Sequence, residues 1–181
     1  SIAVFEKEEF ADASVKAFKK RLAQKIGIPR FRLRLLQGNC SLDDKTLIDH
    51  QTLNLQVVQL VILEFLPPDR EQDRGIMVAC GEKDGKLLEQ HLNQPRNPNF
   101  EDANQVTPLY SAASHGNLKC LSLLIEAGAN KDQGTTDLGA TPLHIAAHQG
   151  YLEVVQFLVD SGANKTKARQ KMEEHLFSKP L

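Results

Sequence analysis

Two histidines, His144 and His148, stand four positions apart and so share one face of a helix, the spacing of a metal-ligand pair. No Cys, Asp or Glu follows at a further helical step, so the pair lacks the donors to close a site. Ser111, Ser114 and His115 offer a second chemistry, a hydroxyl nucleophile beside an imidazole base. Ser114 and His115 are adjacent and are expected to point in different directions, and no Gly-x-Ser-x-Gly elbow presents either serine. No glycine-rich loop is built to cradle a phosphate. The three cysteines, Cys40, Cys80 and Cys120, form no C-x-x-C pair and read as reduced thiols serving as small core residues. The expectation is a non-enzyme with no catalytic residue, no metal and no cofactor.

Charge leaves one further candidate. Lys16, Lys19, Lys20, Arg21 and Lys25, with Arg30, Arg32 and Arg34, make a basic face. Its plain reading is the solvated side of an amphipathic helix, and its functional reading is a docking patch for an acidic protein. RNA is disfavoured because almost no aromatic residues interleave the basic ones. The whole chain of 181 residues carries a net charge of −1, with no overall bias toward nucleic acid or membrane. The longest apolar run, Val57 to Leu66, is broken by Gln59 and Glu64 and is too short to cross a bilayer.

The elements that must position these residues are written twice. Thr107-Pro108-Leu109-Tyr110-Ser111-Ala112-Ala113 returns 34 positions on as Thr141-Pro142-Leu143-His144-Ile145-Ala146-Ala147. The register holds to Gly128-Ala129-Asn130-Lys131 and Gly162-Ala163-Asn164-Lys165, and 12 of the 25 aligned residues are identical. In each copy the threonine is suited to cap a helix that proline opens, since proline's missing N–H has no partner to lose there. Gly116 and Gly150 break that helix. A second follows, with Leu118, Leu121, Leu124 and Ile125 matched by Leu152, Val155, Leu158 and Val159, one apolar stripe at helical spacing. Gly128 and Gly162 stop it. Each unit has an unburied apolar face, so neighbours must stack.

On these residues the segment 74–165 resembles the ankyrin-repeat family. A degenerate first repeat is read at 74–101, where Arg74 to Cys80 lies over Thr107 to Ala113, and clear repeats at 102–134 and 135–165. Gln105 departs from the family's turn glycine, which Gly139 keeps; Tyr110 replaces the usual histidine; Thr135-Thr136-Asp137 holds one extra residue. The resemblance implies protein binding through finger tips and the adjoining first-helix surface. Matched position by position, these are Ala103, Asn104, Val106, Ser114 and His115 in one repeat, and Asp137, Leu138, Ala140, His148 and Gln149 in the next. Residues 166–181 read as a capping segment or tail, in which Met172, Leu176 and Phe177 are suited to cover the last repeat's edge.

Residues 1–66 differ in character. Ser1 to Glu6 reads as a short strand. Ser14 caps and Gly27 stops a helix whose apolar face is Val15, Phe18, Leu22 and Ile26. Arg32 to Leu36 alternates like a strand, and Val57 to Leu63 is a β-branched run suited to a central strand. Val15-Lys16-Ala17 with Gly27-Ile28-Pro29, then Arg34-Leu35-Leu36 with Leu42-Asp43-Asp44, then Thr46-Leu47 with Asp49, together resemble a ubiquitin-like domain. That resemblance implies a β-grasp fold and a receptor-binding strand face at Leu36, Gln59 and Val61. Only 14 residues precede Val15, room for one strand of the family's opening hairpin but not both. With no initial Met and no signal-peptide pattern, the expectation is a chain extending upstream of Ser1, or a strand supplied by another chain. No Gly-Gly follows the last strand, so conjugation to substrates is not expected.

The fold expected is α+β: a ubiquitin-like domain over 1–66, a stiff charged linker at 67–73, and an all-α ankyrin solenoid of about three repeats. The function expected is a non-catalytic protein–protein adaptor or scaffold with two binding modules. The alternatives are an accessory subunit of a large multiprotein complex, and the regulatory fragment of a longer enzyme in ubiquitin signalling. Partners are expected to be proteins, with no nucleic acid and no direct membrane span. The location is expected to be intracellular, cytoplasmic by default, an organelle being the alternative.

Overall fold

The computed structural model describes residues 13–37, 40–48, 58–103, 106–135 and 139–166. The chain divides into two compact units, Ser1–Glu64 and Phe65–Leu181.

In the first unit a short strand β1 (Ala13–Ser14) runs into helix α1 (Val15–Ile26). Ser14 caps it, its hydroxyl accepting the Ala17 N–H at 3.3 Å. Gly27 ends it in the left-handed region at φ 71°, its own N–H donating to Ala23 O. Val15, Phe18 and Leu22 pack with Leu33 and Leu35 into one buried cluster. The two leucines come from β2 (Leu33–Gln37), the middle strand of an antiparallel sheet in the order β3-β2-β5, where β3 is Cys40–Ser41 and β5 is Val58–Ile62. β4 (Leu47–Ile48) pairs separately with β1. β5 was expected to be central; among the described residues it stands at the end of the order, paired with β2 alone. The expected strand at Ser1 to Glu6 lies outside the described residues.

Register explains which side of this sheet is apolar. Leu33 pairs with Ile62 and Leu35 with Leu60, and residues paired across strands share a face. Yet Leu33 and Leu35 are buried under α1, while Leu60 and Ile62 remain 39% and 46% exposed. The core is covered at β2 and open at β5.

The basic face loses two members to this core. Lys19 was expected to be solvated; it is buried, with Nζ 2.6 Å from Asp44 Oδ1. Arg30, also buried, lies 3.5 Å from Asp44 Oδ2, with its guanidinium 3.8 Å from the Phe31 ring centroid. The charged end of the buried lysine finds a carboxylate 25 positions along the chain.

The second unit is helical: α2 (Arg70–Gly81), α3 (Gly85–Leu92), α4 (Pro108–Ser114), α5 (Leu118–Glu126), α6 (Pro142–His148) and α7 (Leu152–Asp160). The first helix starts earlier than expected. Asp69 caps α2, its Oδ1 accepting from Glu71 and Gln72, so residues 70–73 form a helical turn where a linker was expected. Thr107 and Thr141 cap α4 and α6 through Tyr110 N and His144 N, each at 3.2 Å, with Pro108 and Pro142 at the first helical position. Gly128 and Gly162 follow α5 and α7 at φ 90° and 87°, backbone that a Cβ would strain.

The pairs then stack in register. α2 packs on α4 and α4 on α6, while α3 packs on α5 and α5 on α7. Ile76, Leu88, Leu109, Leu121, Leu124 and Leu158 fill the layers between them, all buried. One expected member of the stripe is misplaced: Leu152 is 78% exposed and its counterpart Leu118 is 38% exposed. Each is the first residue of its helix and points outward before the apolar face begins.

Candidate protein-interaction surface

Two loops precede the first helices of the second and third repeats, and each is tied across its base. In the first, Asp102 holds Val106 twice: its N–H donates to Val106 O at 3.1 Å, and its Oδ1 accepts from Val106 N at 2.9 Å. In the second, Thr135 N–H donates to Ala140 O at 3.1 Å, and Thr135 Oγ1 accepts from Ala140 N at 3.2 Å. Gly134 permits this closure, because a Cβ there would run into the Gly139 carbonyl. The loops are thus tied at their bases by side chains that the sequence reading passed over, Asp102 and Thr135.

The expected contact residues separate by exposure. Ala103, His115, His148 and Gln149 are exposed, and Val106 and Ser114 are half-buried. Ala140 is buried, with amide and carbonyl both held by Thr135, which makes it part of the loop's base. Asn104, Asp137 and Leu138 lie outside the described residues. Ser114 and His115 close α4, and His148 and Gln149 occupy the equivalent places one repeat on, at the end of α6.

The geometry at Ser114 differs from expectation. Its Oγ lies 3.1 Å from His115 Nδ1, within hydrogen-bond reach although the two are sequence neighbours. Both groups nevertheless turn to the same acceptor: Ser114 Oγ donates to Ser111 O at 2.9 Å, and His115 Nδ1 is 2.8 Å from that oxygen. A carbonyl only accepts, so Nδ1 carries the proton there and has no lone pair to take one from Ser114. The pair closes a helix end and is not wired as nucleophile and base. His144 is half-buried and His148 exposed, and among the described residues no cluster of three or more His, Cys, Asp or Glu is placed to hold a metal.

In the first unit, Leu36 and Gln59 are direct cross-strand partners, and Val61 lies two residues along from Gln59 on β5. The alternation along each strand puts Leu36 and Val61 on the sheet face opposite Leu33 and Leu35. Leu36 and Val61 are half-buried; the Gln59 side chain lies outside what is described.

A feature absent from the sequence reading runs along the second helices. Leu118, Leu152 and Phe157, with Glu153, Gln156 and Asp160, line a shallow groove. Helical spacing assigned Leu118 and Leu152 to the core, so only the packed structure exposes them. No helix among the described residues is long and apolar enough to cross a membrane.

A family model described as ankyrin repeats, in three copies, matches residues 76–169. A search of curated proteins finds no match to the chain.

Proposed function

The chain belongs to the ankyrin-repeat family, and from that membership we propose that it is a non-catalytic adaptor whose repeats capture a protein partner. Ankyrin repeats are generic protein–protein interaction modules, which makes a protein the partner class to expect. The observation that carries the reading is the pairing of two self-closed loops with an exposed row at the first-helix ends: His115, His148 and Gln149. These side chains are exposed, while Leu109, Leu121, Leu124 and Leu158 of the same repeats are buried in the stack.

The first unit is proposed to be ubiquitin-like and to offer a second module through Leu36, Gln59 and Val61. Its support is one helix packed on an antiparallel sheet, with Leu36 and Val61 on the outer face. The domain division proposed is 1–66, repeats over 74–165 with residues 70–73 opening their first helix, and a terminal segment 166–181. The location proposed is intracellular, in keeping with the free thiols Cys40, Cys80 and Cys120.

The test is capture from native lysate by the full chain, beside a triple variant His115→Ala, His148→Ala and Gln149→Ala. The variant is expected to lose partners while melting within a few degrees of the parent. Full retention by a normally folded variant moves the binding surface elsewhere, first to the Leu36 face.

One observation favours a second reading, an accessory subunit of a larger assembly. Leu60 and Ile62 lie on the core face of their sheet and are still exposed, so a neighbouring chain that covers them would complete the unit. Migration of the protein in size-exclusion chromatography of lysate at the mass of its own monomer removes that reading.

A further inference from the structure

The first repeat meets the second through two thiols. Cys80 stands one residue before the end of α2, and Cys120 lies in the first turn of α5. Both are fully buried. Asn117 fixes their approach: its Oδ1 accepts the Cys120 N–H at 3.1 Å, and its Nδ2 donates to Cys80 O at 3.4 Å. Cys120 Sγ sits 3.6 Å from the carbonyl of Ala79, the residue before Cys80, and donates to it. One side chain therefore holds both cysteine backbones, with the Cys120 sulfur directed at the turn that carries Cys80. We propose that Cys80 and Cys120 form a peroxide-responsive disulfide that staples the first repeat to the second.

The two thiols are not equivalent. A hydrogen bond between them, reinforced by burial, pushes the Cys80 thiol far above its ordinary range. The same bond, opposed by burial and aided by Asn117, draws Cys120 below its own. Cys120 attacks, once opening has freed its proton from the Ala79 carbonyl. Its thiolate forms an S–O bond with a hydroperoxide as the O–O bond breaks, and the alcohol or water leaves with a proton. Cys80 sulfur then attacks that sulfenic acid; the S–S bond forms, the S–O bond breaks, and hydroxide departs as water with the Cys80 proton. The two thiols give up two electrons and two protons, and the peroxide accepts both.

Burial sets the gate. Neither sulfur meets solvent in the closed array, so the reaction waits for local opening of α2 and α3 from α4 and α5. Cys40, in the other unit, is exposed and lacks that protection. The staple closes a loop of about 40 residues, long enough to remove substantial entropy from the unfolded chain.

The test uses the full chain carrying Cys40→Ser, treated with hydrogen peroxide, alkylated, and digested without reductant. The expected product is one linked pair of peptides containing Cys80 and Cys120, two hydrogens lighter than the separate peptides. The melting midpoint should rise by about 10 °C and return on reduction. Ile76→Ala, which loosens the buried face of α2, should speed bridging several-fold. The proposal is overturned if both thiols stay fully alkylatable in the Ile76→Ala protein after peroxide. It is equally overturned if they become separate sulfinic acids, or if the bridged chain melts below the reduced one.

Discussion

The Asn130 amide donates to Asn99 Oδ1 at 2.6 Å, and one repeat later the Asn164 amide donates to Asp132 Oδ1 at 2.7 Å. Within each loop an asparagine also accepts an amide two residues ahead: Asn97 from Asn99, Asn130 from Asp132, Asn164 from Thr166. Each rung thus orients the side chain that receives the next repeat's backbone. The apolar layers set how tightly the helices stack, and this ladder sets the register of the loops that join one repeat to the next.

Asp132→Ala should therefore cost about 1 kcal/mol, the net worth of an intramolecular hydrogen bond, because a nearby backbone amide loses its acceptor. Asp132→Asn keeps an oxygen in place and should recover most of that loss. Urea denaturation of both variants checks the ordering; equal losses would show that charge, and not the acceptor, matters there.

Leu124, Leu158 and Leu152 sit on second helices of the array with matching chemistry and different burial. Leu124→Ala and Leu158→Ala, both at fully buried positions, should each cost about 2–5 kcal/mol through lost transfer energy and a residual cavity. Leu152→Ala should cost under about 0.5 kcal/mol, as a surface substitution does. Denaturation midpoints of the three variants decide the matter, and a large loss at Leu152 would mean that something covers it in solution.

This contrast shows what the sequence carries and what it omits. Thr107-Pro108 and Thr141-Pro142 announce helix starts because capping is local chemistry, settled within three residues. Gly128 and Gly162 announce stops for the same reason. Leu152 was misjudged because helical spacing names a face without saying where that face stops being covered. Lys19 was misjudged because its burial depends on Asp44, far along the chain. Asp69 was missed as a cap because Pro67 and Pro68 beside it read as linker. The exposed places of His115, His148 and Gln149 were legible, since they follow from repeat register. Ala140 was not, since its burial depends on a hydrogen bond from Thr135 across the loop.

Asp73 offers a pH test. Burial raises its carboxyl above the ordinary range, with Asp69 adding in the same direction and Arg96 opposing. The folded chain then holds the proton more tightly than the unfolded one, so stability falls as pH rises through the raised range and is flat above it. Asp73→Asn should remove that slope and stabilise the protein at neutral pH, with the advantage vanishing below the carboxyl's ordinary range. Melting curves from pH 3 to 7 check this; an advantage that persists undiminished at the acid end would assign it to something other than titration.

Asp44 is one carboxylate serving two buried cations, and removing different members should not cost the same. Asp44→Ala strips the carboxylate from the buried Lys19 Nζ and removes one partner of Arg30. Breaking a buried pair from one side leaves an uncompensated charge, which costs about 3 kcal/mol or more. Lys19→Met removes the charge along with the need for a partner and fills the buried site with an uncharged chain of similar length, while Asp44 retains Arg30 and partial solvent. Its cost should be well under half that of Asp44→Ala. The double variant should then be no worse than Asp44→Ala alone, because the stranded lysine is gone. A double-mutant cycle by urea denaturation measures all three, and simple additivity of the two losses would show that Lys19 and Asp44 are coupled too weakly for this account to hold.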